Sequence, residues 1–372
     1  MSRRREGVHR SSSRRGNVGK IQNSISARRP NSAAHFDMTS SAETRRVFCR
    51  NAVVKDDPVL AEHYFRGGPI EGVSFRSVRL IPIFDTSAIF NLSNRDSADP
   101  VLNRFRSSVP QRGWPLTFVT VLELFNGLSR GGAEDFDDSL MSVNLASRLS
   151  RRRVLLQYIP FVQKELFNIS DRRHQVSTEN FTRYLGMLQQ PNAKNDFAAG
   201  RFTFLRKIEK LITTMRQEYK DSMEGFMDEK MPDWRSERHK SGSPLPKAER
   251  EKLKHTLPVD KWKRDLATHF VAESFDGHTP DEAIRLVWDC CDAYLTFTVS
   301  VLRDSFMTGY RFEDNSNDFH DGMQLLYLSR PWFCLVTEDT RLIGRTKKST
   351  QGDRILTIDQ FGGPPTPSRI FC

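Results

Sequence analysis

The sequence predicts an α/β fold with a mostly parallel sheet, interrupted by a large helical block. Three observations lead there. Short apolar runs that read as buried strands stand near both ends of the chain. Strand and helix patterns stand together at both ends, the order that builds parallel sheets. The long middle has helical spacing almost throughout.

Composition sets the outer bounds. The chain has 372 residues, 37% hydrophobic and 28% charged, which allows one to three domains at about 150 residues each. No window approaches the roughly 18 apolar residues of a membrane span, and none has the form of a secretory signal. A transmembrane protein is therefore excluded and export is disfavoured. The net charge is +11, but residues 1–30 hold nine Arg or Lys against one Glu. The basicity belongs mainly to an N-terminal arm. Five cysteines, Cys49, Cys290, Cys291, Cys334 and Cys372, form no CxxC pair. An odd count without that spacing disfavours a disulfide framework and a Cys-rich zinc site, and the expected setting is a reducing cytoplasm.

Residues 1–45, rich in Arg and Ser and poor in bulky apolar groups, are expected to be a disordered basic arm. SVRLIPIF at 77–84 reads as a buried strand ending at Asp85, although Pro82 removes a ladder donor. PLTFVT at 115–120 is a second apolar stretch, running into a helix VLELFNGL that ends at Gly127. Residues 138–225 have helical spacing, including RRRVLLQYIPFVQKEL, where Arg151–Arg153 read as a solvated helix face. Residues 231–264 carry four prolines and ten Lys or Arg against five Asp or Glu. They read as a solvated loop or helix pair. Thr279 as N-cap, Pro280 at N1 and Glu282 at N3 then open a single helix running to about 306. Within it Cys290 and Cys291 cannot face the same side, and core packing accounts for them. A helix at DGMQLLYLSR, a strand FCLVTED (333–339), a last strand RILTIDQF (354–361) and a coil tail at 363–372 complete the chain.

The acids draw attention by position. Asp85 and Asp339 lie at the carboxyl ends of two predicted strands, where ligands bind in open α/β sheets. Glu123 lies on the first turn of the helix after the second apolar stretch. Asp318 and Asp321 lie at the start of NDFHDGMQLLYL. Carboxylates converging in one crevice repel, and each raises its neighbour's pKa unless a cation neutralises them. Oxygen ligands suit Mg²⁺ or Mn²⁺, and such an ion can activate water against a phosphodiester. Each piece also has a plainer account. Thr120-x-x-Glu123 matches a capping box, Asp318 and Asp321 match helix-opening acids, and Asp85 and Asp339 match turn residues.

Taken in order, these segments resemble the PIN-domain nuclease family. FDTSAIF is similar to its opening strand, VTVLELFNGL to its second motif, NDFHDGMQLLYLSRPWFCLVTEDTRL to its third and fourth, and RILTIDQF to its closing strand. The resemblance implies a three-layer α/β/α fold and Mg²⁺- or Mn²⁺-dependent cleavage of nucleic acid, RNA in preference to DNA. It makes Asp85, Glu123, Asp321 and Asp339 the metal-binding acids and Asp318 a neighbouring fifth. Thr86 or Ser87, and Thr337, become hydroxyls that orient the carboxylates. It covers about 76–130 and 310–362, with Glu123 and Asp321 198 positions apart. Compact members of that family place these motifs much closer. Residues 135–310 have no counterpart and are read as a helical insertion. An inhibitor or other partner protein belongs with the same expectation; a membrane does not. The competing expectation is a non-catalytic nucleic-acid-binding or interaction protein that keeps the fold.

His320 reads as a solvent-facing residue without a required role. The absence of GxxxxGK[ST] and GxGxxG disfavours an NTPase or dinucleotide enzyme.

Overall fold

Three short strands form one parallel sheet in a computed structural model of the chain. The structure describes residues 80–130, 135–169, 172–230 and 244–362, less 276, 309, 313 and 316. The expectations for the arm at 1–45, the strand start at 77–79, the loop at 231–243 and the tail at 363–372 lie outside these residues. Strand β1 is Ile81–Phe84, β2 is Phe333–Val336 and β3 is Ile355–Leu356, in the order β1-β2-β3. Ile81 pairs with Phe333 and Phe84 with Val336; Leu335 pairs with Ile355. Chain segments 248 residues apart thus make one ladder. Strand β2 is buried along its whole length, as an unbroken apolar run in a parallel sheet should be.

Pro82 is accommodated because β1 is an edge strand. The amides of Ile81 and Asp85 reach the carbonyls of Trp332 and Val336 at 2.8 and 2.9 Å. Alternation along the strand turns the Pro82 nitrogen away from β2, where no donor is needed.

Helix α1 (Thr86–Ser93) follows β1 directly, and Asp85 itself caps it by accepting from the Thr86 amide. Helix α2 (Pro100–Ser108) has Asp99 as N-cap and Pro100 at N1. The second apolar stretch, 115–120, is not a strand of this sheet. Leu116 makes only an isolated parallel bridge to Val154. The Thr117 hydroxyl then takes the Thr120 amide at 3.0 Å, so helix α3 (Phe118–Arg130) begins earlier and runs beyond Gly127. Thr120 is therefore not a capping residue. Glu123 falls in the second turn, not the first.

Helices α4 (Phe136–Ser150), α5 (Tyr158–Phe167), α6 (Arg172–Leu188), α7 (Ala193–Ala198) and α8 (Thr203–Lys230) fill the predicted helical region. In α8 the stripe Ile208, Ile212, Met215, Tyr219, Met223, Met227 is buried at three- and four-residue spacing. Arg151–Arg153 are not a helix face. Arg151 and Arg152 are left-handed, at φ 49° and 64°, and end α4. Val154 then bridges to Leu116. Gly113 makes the same crossing possible, since its φ is 73° and a Cβ there would lie 2.3 Å from the Ser150 carbonyl.

Helices α9 (Lys247–Lys254) and α10 (Val259–Ser274) follow. The expected single helix over 281–306 is two, α11 (Asp281–Cys290) and α12 (Asp292–Thr308). Pro280 sits in the cap position, because its ψ of 129° is extended and helical geometry starts at Asp281. The break at Cys291 has a long-range cause. Gln351 accepts from the Ala293 amide at 2.7 Å and donates to the Cys290 carbonyl at 2.5 Å, serving groups that the interruption leaves open.

Helix α13 (Asn317–Leu325) continues as a 3₁₀ turn, Leu326–Ser329, into β2. Gly322 lets it press on α12, where a Cβ would already touch Phe297 at 3.4 Å. Helix α14 (Thr340–Thr346) follows β2. The predicted closing strand is cut to two residues. Thr357 takes the Gln360 amide at 3.2 Å, and α15 (Ile358–Gly362) begins. One continuous apolar core links the sheet helices with α4–α8 and α10–α12, and the described residues fall in one compact unit. Among the described residues no helix is long and apolar enough to cross a membrane.

Candidate functional site

The site lies beyond the carboxyl ends of β1 and β2. Helix α3 is fastened there by the Thr120 hydroxyl, which donates to the Phe84 carbonyl at 2.7 Å. Glu123, one turn further on, is thereby brought to the end of β1. Parallel pairing sets Asp85 and Thr337 side by side.

Asp85 is 5% exposed and accepts four hydrogen bonds. The Thr86 amide (2.6 Å) and Gln324 Nε2 (2.8 Å) reach Oδ1; Ser87 Oγ (2.6 Å) and Thr337 Oγ1 (2.8 Å) reach Oδ2. Burial, then the charge of Glu123, pushes its carboxyl above the usual range against the pull of these donors. Ser87 and Thr337 do orient a carboxylate, that of Asp85. The Thr86 hydroxyl instead donates to Glu123 Oε2 at 2.5 Å.

Glu123 Oε1 lies 2.8 Å from His320 Nδ1. His320 does not face solvent: it is fully buried, and its Nε2 has no partner among the described residues. Helix α13 turns His320, Asp321 and Gln324 to this side at helical spacing. Phe319 and Met323 line a different face, on a cavity of about 170 Å³ shared with Tyr158, Tyr219 and Tyr294.

Asp321 is 9% exposed and has no hydrogen bond or ion pair among the described residues. Burial holds its carboxyl well above the usual range, and the charges of Asp85, Glu123, Asp339 and Asp318 add to this. Five predicted acids thus share one electrostatic field. Their surroundings differ. Asp339 caps α14, its Oδ1 accepting from the amides of Arg341 and Leu342 at 2.7 and 2.9 Å, so it is a helix cap and not the plain turn residue that the sequence offered as its alternative. Asp318, fully buried, is bound by Arg345 Nη1 at 2.5 Å, Arg341 Nη2 at 2.6 Å and the Tyr310 hydroxyl at 2.7 Å. Its charge is already compensated.

The donor set is all oxygen and includes one buried carboxylate, Asp321, without a compensating cation. In kind it fits a hard divalent ion. In spacing, no group of three or more His, Cys, Asp or Glu among the described residues is placed to hold one.

Sequence reasoning missed Gln324, Tyr310, Arg341 and Arg345. For Gln324 a signal existed: it stands three residues after Asp321 and four after His320, on the same helix side. The arginines offered none, because their partner Asp318 lies 23 and 27 residues earlier. No family model, no curated protein and no solved structure matches this chain.

Proposed function

We propose that the chain is a metal-dependent ribonuclease with a PIN-like three-layer α/β/α domain and a helical insertion at 135–310. The observation that carries this reading is Asp321: a buried carboxyl surrounded by four others, with no cation or donor of its own. Buried acids in a fold are ordinarily paired, and an unpaired one in a crevice at strand carboxyl ends is a candidate site.

Asp85, Glu123, Asp321 and Asp339 are the acids that would hold Mg²⁺ or Mn²⁺, and they would have to draw closer than their spacing in the structure to do so. When bound, such an ion lowers the pKa of a water and offsets charge on a phosphodiester. The chain's own groups prepare the place. Ser87, Thr337 and Gln324 fix the Asp85 carboxylate, and Thr86 and His320 fix Glu123. Asp339 uses Oδ1 to cap α14. Asp318 serves through Arg341 and Arg345, which it anchors beside the crevice. Cys290, Cys291 and Cys334 are unbridged, in keeping with a cytoplasmic protein.

The alternative, a non-catalytic nucleic-acid-binding or interaction protein, draws support from Asp85 and Asp339, both of which have structural duties without any ion. The deciding experiment is cleavage of a labelled single-stranded RNA with Mg²⁺ or Mn²⁺, with EDTA, and with Asp85→Asn, Asp321→Asn and Asp339→Asn. Ion-dependent cleavage lost in all three variants is the expected result. Activity surviving EDTA and the substitutions removes the metal-site assignment. An inactive wild type on RNA and DNA, with no inhibitor bound, selects the alternative.

A further inference from the structure

We propose that Arg130 of α3 and Arg216 of α8 form a phosphodiester-binding site through which the helical block holds nucleic acid against the acidic crevice. The proposal rests on the reading above and gives the helical block a role in it.

The geometry starts from α3. Glu123 and Arg130 are seven residues apart, two helical turns, and so share one face. Helix α8 packs along α3. From α8, Arg216 reaches over and donates from Nη2 to Asn317 Oδ1 at 3.0 Å. Asn317 is the first residue of α13, next to Asp318 and one turn before Asp321. Arg216 therefore spans from the helical block to the helix that carries the acids.

Its guanidinium is incompletely used. Arg216 is half-buried, and its Nε is buried without an acceptor. Neither Arg216 nor Arg130 has an ion-pair partner within salt-bridge distance among the described residues. Burial weakens the hold of Arg216 on its proton, and the neighbouring charge of Arg130 weakens it further, with Glu123 acting the other way. Two guanidiniums are thus kept in mutual repulsion, one with a buried donor unmet. A bound anion would offset that repulsion and take up the guanidinium's outer donors.

The ligand chemistry follows from the fork and from the neighbours. A guanidinium offers parallel donors that match two oxygens of a phosphate. A polyanion approaching Asp85, Glu123, Asp321 and Asp339 meets four carboxylates. A cationic pair on the crevice wall offsets that repulsion and fixes where the backbone lies.

The test is binding of a fluorescein-labelled 20-nucleotide RNA by anisotropy in EDTA, over a range of salt. Wild type is compared with Arg130→Gln, Arg216→Gln, Arg216→Lys and the exposed α8 control Arg206→Gln. Each Gln variant should weaken binding about tenfold and reduce the slope of log K against log salt by about 0.7, the share of one phosphate contact on a single strand. Arg216→Lys keeps the charge and should keep the slope while binding more weakly. Unchanged melting temperatures show that the variants are folded. Slopes equal to wild type, an equal loss in Arg206→Gln, or a wild type that does not bind overturns the proposal. The nuclease reading is read separately, by Mn²⁺-dependent cleavage. Arginine-dependent binding without cleavage leaves the phosphate site standing and removes the nuclease. Cleavage with unchanged slopes does the reverse.

Discussion

Gln324 donates its side-chain amide to Asp85 Oδ1 at 2.8 Å, joining residues 239 positions apart and tying α13 to the end of β1. Its own Oε1 is buried without a donor. The amide is therefore oriented by the carboxylate, not by its surroundings. Gln324→Glu replaces that donor with a second charge against a buried acid. Loss of a hydrogen bond to a charged group costs about 1.5–3 kcal/mol. Chemical denaturation at pH 7 should show a destabilisation of that size. It should shrink at pH 5, where the new carboxyl is protonated and donates again. A neutral effect at pH 7 would show that Asp85 is not held charged.

Asp321 makes stability depend on pH in a defined direction. Its folded carboxyl lies well above 3.8 through burial first and neighbouring carboxylates second. The folded protein then binds this proton more tightly than the unfolded chain. Stability is greatest below the unfolded value and falls as pH rises towards the folded one. Asp85 is shifted the same way. In EDTA, Asp321→Asn should melt higher than wild type at pH 7, with the difference closing towards pH 4. A variant less stable than wild type at pH 7 contradicts the site's electrostatics.

Arg345 is the counterpart of Asp318. It binds Asp318 at 2.5 Å and Asp304 at 2.9 Å, with Asp318 fully buried. Arg345→Met strands a buried charge, at a cost of about 3 kcal/mol, the low end because Arg341 remains. Adding Asp318→Asn should recover part of the loss. A double-mutant cycle by urea unfolding measures it, and strict additivity would show that the pair is uncoupled.

Thr117 starts α3. Thr117→Ala removes the acceptor of the Thr120 amide and should cost about 1–2 kcal/mol, whereas Thr117→Ser keeps the cap. Were Thr120 the cap, Thr117→Ala would be close to neutral. Thermal unfolding of the two variants separates the cases.

Arg151 occupies a left-handed position at the end of α4 with its side chain exposed. Glycine has no Cβ penalty there. Arg151→Gly should raise stability by about 1 kcal/mol in the same assay. A loss would mean that the side chain contributes more than the backbone conformation costs.

The sequence by itself determined whatever depends on chain neighbours. The apolar run Phe333–Val336, the long stripe of α8, and the position of Asp85 at a strand end were legible because periodicity and caps act over a few residues, whereas the strand expected to reach Asp339 stops at Val336. Helix starts were legible only to within a turn: Thr117, not Thr120, takes the amide that starts α3. The tertiary structure decided what depends on partners far along the chain. Gln351 broke a helix 61 residues away. Glu123 and His320, 197 residues apart, became one buried pair. Asp318 was drawn to two arginines while Asp321, one turn on, was left without a cation. Both are acids on the same short helix, and nothing local distinguishes them. Their difference arises because burial and charge are properties of the space around a group, and that space is set only when distant segments close upon it.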